Sequence, residues 1–260
     1  MKLSRIPRRL RVFWHRRFGV GPLRDSMPDV ADWLQSPLGQ ALLGEEQALL
    51  DDQLQDLFGY YLVQLSIDPS LDLTGSSRIG RRVGVSPRAD LRPSLSPLIT
   101  EHQHLPLPSE SVDLVLLHHL LDYSQTPHQV LREMSRVLIP HGHLVIVGFN
   151  PWSGFGVWRW VARCFSRRPR WRHQSLRLGR LLDWMQLVDL QPVSVERGFY
   201  RPPVSHPGIL GSLRWFERWA KRVGAPGGAS MWWWPARKSV APCRSSPPGR
   251  KRRAAYPGWV

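Results

Sequence analysis

From position 36 to 57, leucines recur at near-helical spacing (Leu38, Leu42, Leu43, Leu49, Leu50, Leu54 and Leu57), while Glu45, Glu46, Asp51, Asp52 and Asp56 fall on the other face. This spacing predicts an amphipathic helix with its acidic residues in solvent. The helix feeds YYLVQLSI (Tyr60 to Ile67), a run of strand length rich in aromatic and branched residues. RRVGVS (81 to 86) and LSPLIT (95 to 100) are weaker strands, each interrupted by Gly or Pro. VDLVLLH (Val112 to His118) has the apolar character of a strand covered on both faces. Thr126 as N-cap, Pro127 at the first helical position and the stripe Val130, Leu131, Met134, Val137 and Leu138 predict a helix that Pro140 stops. His141-Gly142 then turns the chain into the buried strand His143 to Phe149.

Beyond Asn150, helical patterns cover 152 to 165 and 174 to 187, followed by a strand at 191 to 200, a helix at 207 to 222 and a last strand candidate from Ser230 to Val240. Alternating strands and helices imply a doubly wound α/β sheet, with its ligand beyond the carboxyl ends of the strands. The stretch 67 to 80, broken by Pro69 and Gly75, leaves little room for a crossover helix.

Composition divides the 260 residues. Hydrophobic residues make up 42%, enough for a packed core. Two cysteines, Cys164 and Cys243, exclude a disulfide framework and fit a reducing compartment, so a cytoplasmic protein is expected. No apolar run is long enough to cross a bilayer. The net charge of +16 is uneven: residues 1 to 24 carry +8, 25 to 150 carry −9, 151 to 240 carry +12 and 241 to 260 carry +5. Residues 1 to 24 read either as a basic arm or as the product of an early start codon, and the Pro-, Gly- and Arg-rich residues 241 to 260 as a disordered basic tail.

A motif register lies in the middle of the chain. Glu101, Leu105-Pro106, Val112-Asp113-Leu114-Val115, His119, Leu131-Arg132-Glu133, Arg136-Val137-Leu138, Pro140 and Gly142 stand in order. This run resembles the central half of a class I S-adenosylmethionine-dependent methyltransferase of the type 11 kind. Gly148-Phe149-Asn150-Pro151-Trp152 brings it nearer to the bacterial YafS-like branch. The resemblance is strong over 100 to 155, fainter over 38 to 240, and covers neither basic end. It implies a seven-stranded Rossmann-like sheet whose last strand, starting at Met231, is antiparallel. It further implies a methyltransferase-like domain over 25 to 240, with 151 to 225 as acceptor or lid part, S-adenosylmethionine as cofactor and an unidentified methyl acceptor.

Carried over residue by residue, the resemblance puts Gln64 and Ser66 at the first loop, Ser86 toward the ribose, Glu101 and His102 near the adenine, and His118 at the end of the fourth strand. The sequence departs from the family at that first loop. Gln64-Leu65-Ser66-Ile67-Asp68-Pro69-Ser70 contains no glycine where the family has three, and the family's second-strand acid falls near Ser86.

Other features leave two readings each. His118 and His119 read as cofactor contacts or a base, or as structural histidines. Asp122 reads as a substrate-side base or a solvated turn carboxylate. The arginines of 152 to 180, interleaved with Trp152, Trp158, Trp160 and Trp171, suit nucleic acid or an anionic membrane surface, or an ordinary helical layer with arginines reaching outward. A catalytically degenerate fold acting as such a binding module is the alternative to an enzyme. His102, Gln103 and His104 lack a third ligand, and no metal site is expected.

Overall fold

A corner between two helices precedes the first strand. Helix α1 (Leu23–Leu34), which the periodicity did not reveal, buries Met27, Val30 and Leu34. Helix α2 (Pro37–Leu54) starts where Ser36 Oγ accepts the Gly39 N–H at 3.2 Å, with Pro37 in the first turn. A Cβ on Gly39 would lie 2.5 Å from the Trp33 carbonyl oxygen and 2.6 Å from the Leu34 backbone, so only glycine lets the two helices meet this closely. In this computed structural model the described residues are 20–87 and 95–193, apart from scattered positions between 152 and 175, with the strand backbone of 196–198 and 231–238.

The strands are β1 (Tyr61–Ser66), β2 (Arg81–Ser86), β3 (Ser96–Ile99), β4 (Val112–His118), β5 (Leu138–Phe149), β6 (Leu190–Pro192), β7 (Glu196–Gly198) and β8 (Met231–Lys238). They form one sheet in the order β3-β2-β1-β4-β5-β8-β6, with β7 also on β8. Strands β1 to β5 run parallel, and β8 is antiparallel to β5. The order reverses between β1 and β4, the switch point at which such sheets open a crevice.

Side chains alternate across the sheet as the pleat requires. Val63, Leu65, Val115, Leu117, Leu144 and Ile146 pack on one face against α4 (Pro127–Val137) and α5 (Leu178–Leu187). Leu62, Leu114, Leu116, Val145 and Val147 pack on the other face with Leu50 and Leu54 of α2. No helix joins β1 to β2. Leu73 and Ile79 cover the sheet there instead, in a segment shaped by Asp68 and Asp72, whose carboxylates accept the N–H groups of Ser70 and Thr74.

Three expected features take a different form. The strand expected at 191 to 200 is two short stretches, β6 and β7, so the sheet has eight strands rather than seven; Pro192, which ends β6, has no N–H to offer a ladder. Helix α4 ends at Val137, and the turn expected at His141-Gly142 is a looped-out stretch within β5. There Val112 pairs with Leu138 but Leu114 with His143, and His141 has φ 67°. Thr126 precedes α4 without capping it through its side chain. The helix expected at 207 to 222, the N-terminal residues 1 to 19 and the tail lie outside the described residues.

The corner between α1 and α2 yields a paired prediction. Gly39→Ala is expected to destabilise the fold by about 2 kcal/mol or more, because backbone atoms cannot yield to the new methyl. Gly44→Ala, exposed in the middle of α2 with open space around it, should stabilise by roughly 0.5 to 1 kcal/mol. Urea melts of the two variants check both signs.

Candidate active site

The carboxyl ends of β1 and β4 meet a charged side chain from α2. Glu46 stands four residues from both Leu42 and Leu50 on the buried stripe of the helix, and is itself 1% exposed. It is therefore not on the solvent face where the sequence pattern placed it. Its Oε2 lies 2.9 Å from His118 Nε2 and its Oε1 2.8 Å from His119 Nε2. Consecutive strand residues point to opposite faces, so both rings can reach one carboxylate only because His119 leaves the strand with φ 53°.

The far side of each ring is also held. His118 Nδ1 lies 2.8 Å from Ser66 Oγ, which accepts the Asp68 N–H at 3.2 Å. His119 Nδ1 lies 3.4 Å from Asp122 Oδ2, which accepts the Phe149 N–H at 3.1 Å. The His119 ring stacks on Phe149 with centroids 4.0 Å apart. Without a metal, satisfying every contact requires a protonated His119 donating from both nitrogens and a neutral His118 donating from Nε2 and accepting from Ser66.

Electrostatics agree with that assignment. Burial would raise the Glu46 carboxyl, but the charge of His119 and the hydrogen bonds from both rings hold it at about 2. Burial would lower His119, yet Glu46 and Asp122 lift it to about 9. His118 is pushed down by burial and by the charge on His119.

Asp122 is 2% exposed and engaged with His119 and Phe149, which corrects its reading as a solvated turn carboxylate. The layer continues outward through Arg159, 2% exposed, whose guanidinium lies 3.6 Å from the Phe149 ring centroid and donates to Tyr123 Oη at 2.8 Å. Tyr123 donates to the Arg170 carbonyl at 2.9 Å, and Arg170 pairs with Asp29 of α1 at 3.3 Å. Two arginines of the basic segment are thus turned inward, where no polyanion meets them.

The remaining candidates fall into two places. Gln64 spans the first loop, donating to the Leu71 carbonyl at 2.6 Å and accepting the Leu73 N–H at 3.0 Å, so its side chain replaces loop backbone contacts. Ser86 is buried at the end of β2. Glu101 and His102 line a cavity of about 310 Å³ with Pro22, Arg24, Gln103 and Ser124, beyond the carboxyl ends of β2 and β3. Glu101 is exposed and meets Arg24 at 3.4 Å. His102 is buried, and its Nε2 has no hydrogen-bond partner among the described residues. Burial holds it at about 4 against a bond with the Val85 backbone, leaving a neutral ring with a buried, unpartnered Nε2. The structure brings Ser66 and His118 together, and Glu101 with His102; it does not join the two pairs through a hydrogen bond.

The strand order, with a single reversal and the cavity beside it, defines a Rossmann-like methyltransferase fold. The family described as "Methyltransferase domain" matches residues 66–146. Over 179 residues the chain is 30% identical to the uncharacterized protein YafS of Escherichia coli (strain K12), covering 68% of this chain and 72% of that one. Among solved structures, an S-adenosylmethionine-dependent methyltransferase from Thermotoga maritima superposes with a TM-score of 0.59 at 16% identity, covering 76% of this chain and 89% of that one. The [4+2]-cyclase SpnF superposes with a TM-score of 0.51 at 15% identity, covering 75% and 80%. The chain belongs to the family of YafS and carries a methyltransferase domain over residues 66–146.

Two outcomes follow for these residues. Glu46→Ala strips both rings of a shared buried partner and should cost about 3 to 5 kcal/mol in chemical denaturation; a loss below about 1 kcal/mol would show that the carboxylate is not buried between the rings. His102 is lower in the folded chain than the ordinary 6.5, so between about 4 and 6.5 the unfolded chain binds more protons and stability falls with decreasing pH. In a comparison of stability at pH 7 and pH 4.5, His102→Gln should remove a drop on the order of 2 to 3 kcal/mol. An unchanged pH slope in the variant contradicts the assignment.

Proposed function

We propose that the chain binds S-adenosylmethionine and transfers its methyl group to an acceptor seated by residues 151 to 225. The observation that carries this is the cavity of about 310 Å³ at the carboxyl ends of β2 and β3, next to the point where strand order reverses. Its wall suits a nucleoside. Glu101 contributes a carboxylate, His102 a neutral ring, and Leu120 and Val130 apolar lining. Ser86, which closes β2 just before the cavity-lining Pro87, is read as the residue on the ribose side.

At the first loop the chain works differently from a glycine-rich one. Side chains carry the contacts: Gln64 fixes Leu71 and Leu73, and Ser66 fixes His118. Both are read as positioning residues that hold the floor of the cleft. When bound, the cofactor supplies an electrophilic methyl on a sulfonium. The chain's part is to orient it and exclude water, and Pro22 and Leu23 at the start of α1 line the cavity with Leu120 and Val130. Gln125, in the same lining, donates from Nε2 to the Val20 carbonyl at 3.1 Å. The domain is read as 25 to 240 in a cytoplasmic protein; among the described residues no helix is long and apolar enough to cross a membrane.

Calorimetry on the full chain tests the reading. One saturable site for S-adenosylmethionine and for its demethylated product is expected, with Glu101→Ala and His102→Ala each weakening binding about tenfold, or 1.4 kcal/mol. Absence of measurable heat at millimolar ligand overturns it.

A further inference from the structure

Two imidazoles and a carboxylate converge where α2 crosses the end of β4. His118, His119 and Glu46 each offer a ligand atom, and these atoms lie within 4.8 Å of one another. All three residues are at most 1% exposed. The outer nitrogens are already engaged, Nδ1 of His118 by Ser66 Oγ and Nδ1 of His119 by Asp122 Oδ2. Those partners are fixed in turn by the backbone N–H groups of Asp68 and Phe149. Rings steered from outside, with both Nε2 atoms turned to one carboxylate, have the orientation that metal-ligating histidines take from their hydrogen-bond partners.

A second observation points to a missing cation. Asp68, 3% exposed, keeps Oδ2 buried with no hydrogen-bond partner among the described residues, and its charge acts on His118. Glu46 and Asp122 contact the ring pair, and the charge of Asp68 acts on His118. The guanidinium of Arg159 lies beyond Phe149, on the far side of the cluster.

We propose that Glu46, His118 and His119 form a binding site for a divalent transition metal, with zinc(II) the ion that suits two imidazoles and a carboxylate. Nitrogen donors disfavour magnesium and calcium, which take oxygen, whereas zinc accepts this mixed set without a redox partner. Binding replaces the hydrogens between the rings and Glu46. His119 releases its Nε2 proton to solvent. His118 moves its proton from Nε2 to Nδ1, and Ser66 changes from donor to acceptor. One proton leaves per metal bound.

The site is independent of the cofactor reading, and its test uses no cofactor. Full-length, tag-free protein is depleted with chelator and titrated with Co²⁺ as a spectroscopic stand-in. One equivalent with the visible bands of a low-coordinate nitrogen and oxygen site is expected, displaced by Zn²⁺. Calorimetry in buffers of differing ionisation enthalpy should report about one proton released. Glu46→Gln and His119→Gln, which keep polar side chains of similar reach, should each weaken Co²⁺ binding at least about tenfold. X-ray absorption on zinc-loaded wild type should show two imidazoles in the first shell whether or not the variants fold. Folded wild type that takes up no Co²⁺, a first shell with fewer than two imidazoles, or undiminished affinity in both folded variants overturns the proposal and leaves the cluster a closed hydrogen-bond network.

Discussion

A carboxylate with no access to water must be met by donors, and Glu46 is met by two histidines from the end of β4. That requirement organises the molecule. It sets the position of α2 over the sheet, because the helix can slide neither way without stranding a charge in an apolar layer. It calls for the left-handed backbone at His119, the turn that lets adjacent side chains face one partner. The next shell follows from the same demand: Ser66 closes β1 against β4, and Asp122 anchors the start of β4's exit to the end of β5. Phe149 and Arg159 then stack outward to the residues after β5.

The arrangement explains how the fold manages without a glycine loop after β1. Glycines in such a loop let backbone approach a ligand, whereas here Ile67 packs with α1 and α2 and Asp68 is bonded to Ser70. The floor beneath is a polar network, while the open cavity lies toward β2 and β3, with Glu101 and His102 in its wall. The cavity and the buried charged cluster are thus separate parts of the molecule, with none of Glu46, Ser66, His118 or His119 in the cavity lining. At the identities of its solved neighbours the likeness conveys the fold, and SpnF, a cyclase, shows that this fold also serves other chemistry. Membership in the family rests on the YafS match.

Much of the sheet was legible because its strands are short apolar runs bounded by breakers. Val112 to His118 and 81 to 86 coincide with β4 and β2. Helix α1 was missed because its buried positions are few and Pro28 interrupts the pattern. Glu46 was misread because neighbouring acids occupy a solvent face and charge was taken to mean exposure. Its spacing of four from Leu42 and Leu50 was the available signal, since it marks the buried stripe. Asp122 and Arg159 carried no such signal, for their partners come from β5 and α3 (Leu120–Tyr123), and no local pattern encodes a contact across the sheet. Glu101 stands on an intact motif position and His102 follows it by resemblance, which locates a loop end without showing that it borders a cavity.

The network around Glu46 is most directly tested by nitrogen-detected NMR of the histidine rings in chelator-treated protein near neutral pH. Three slowly exchanging ring N–H resonances are predicted from this pair, Nε2 and Nδ1 of the protonated His119 and Nε2 of the neutral His118. Rings whose protons exchange freely with water, or a neutral His119 and His118 of mixed tautomer, would contradict the buried bridge.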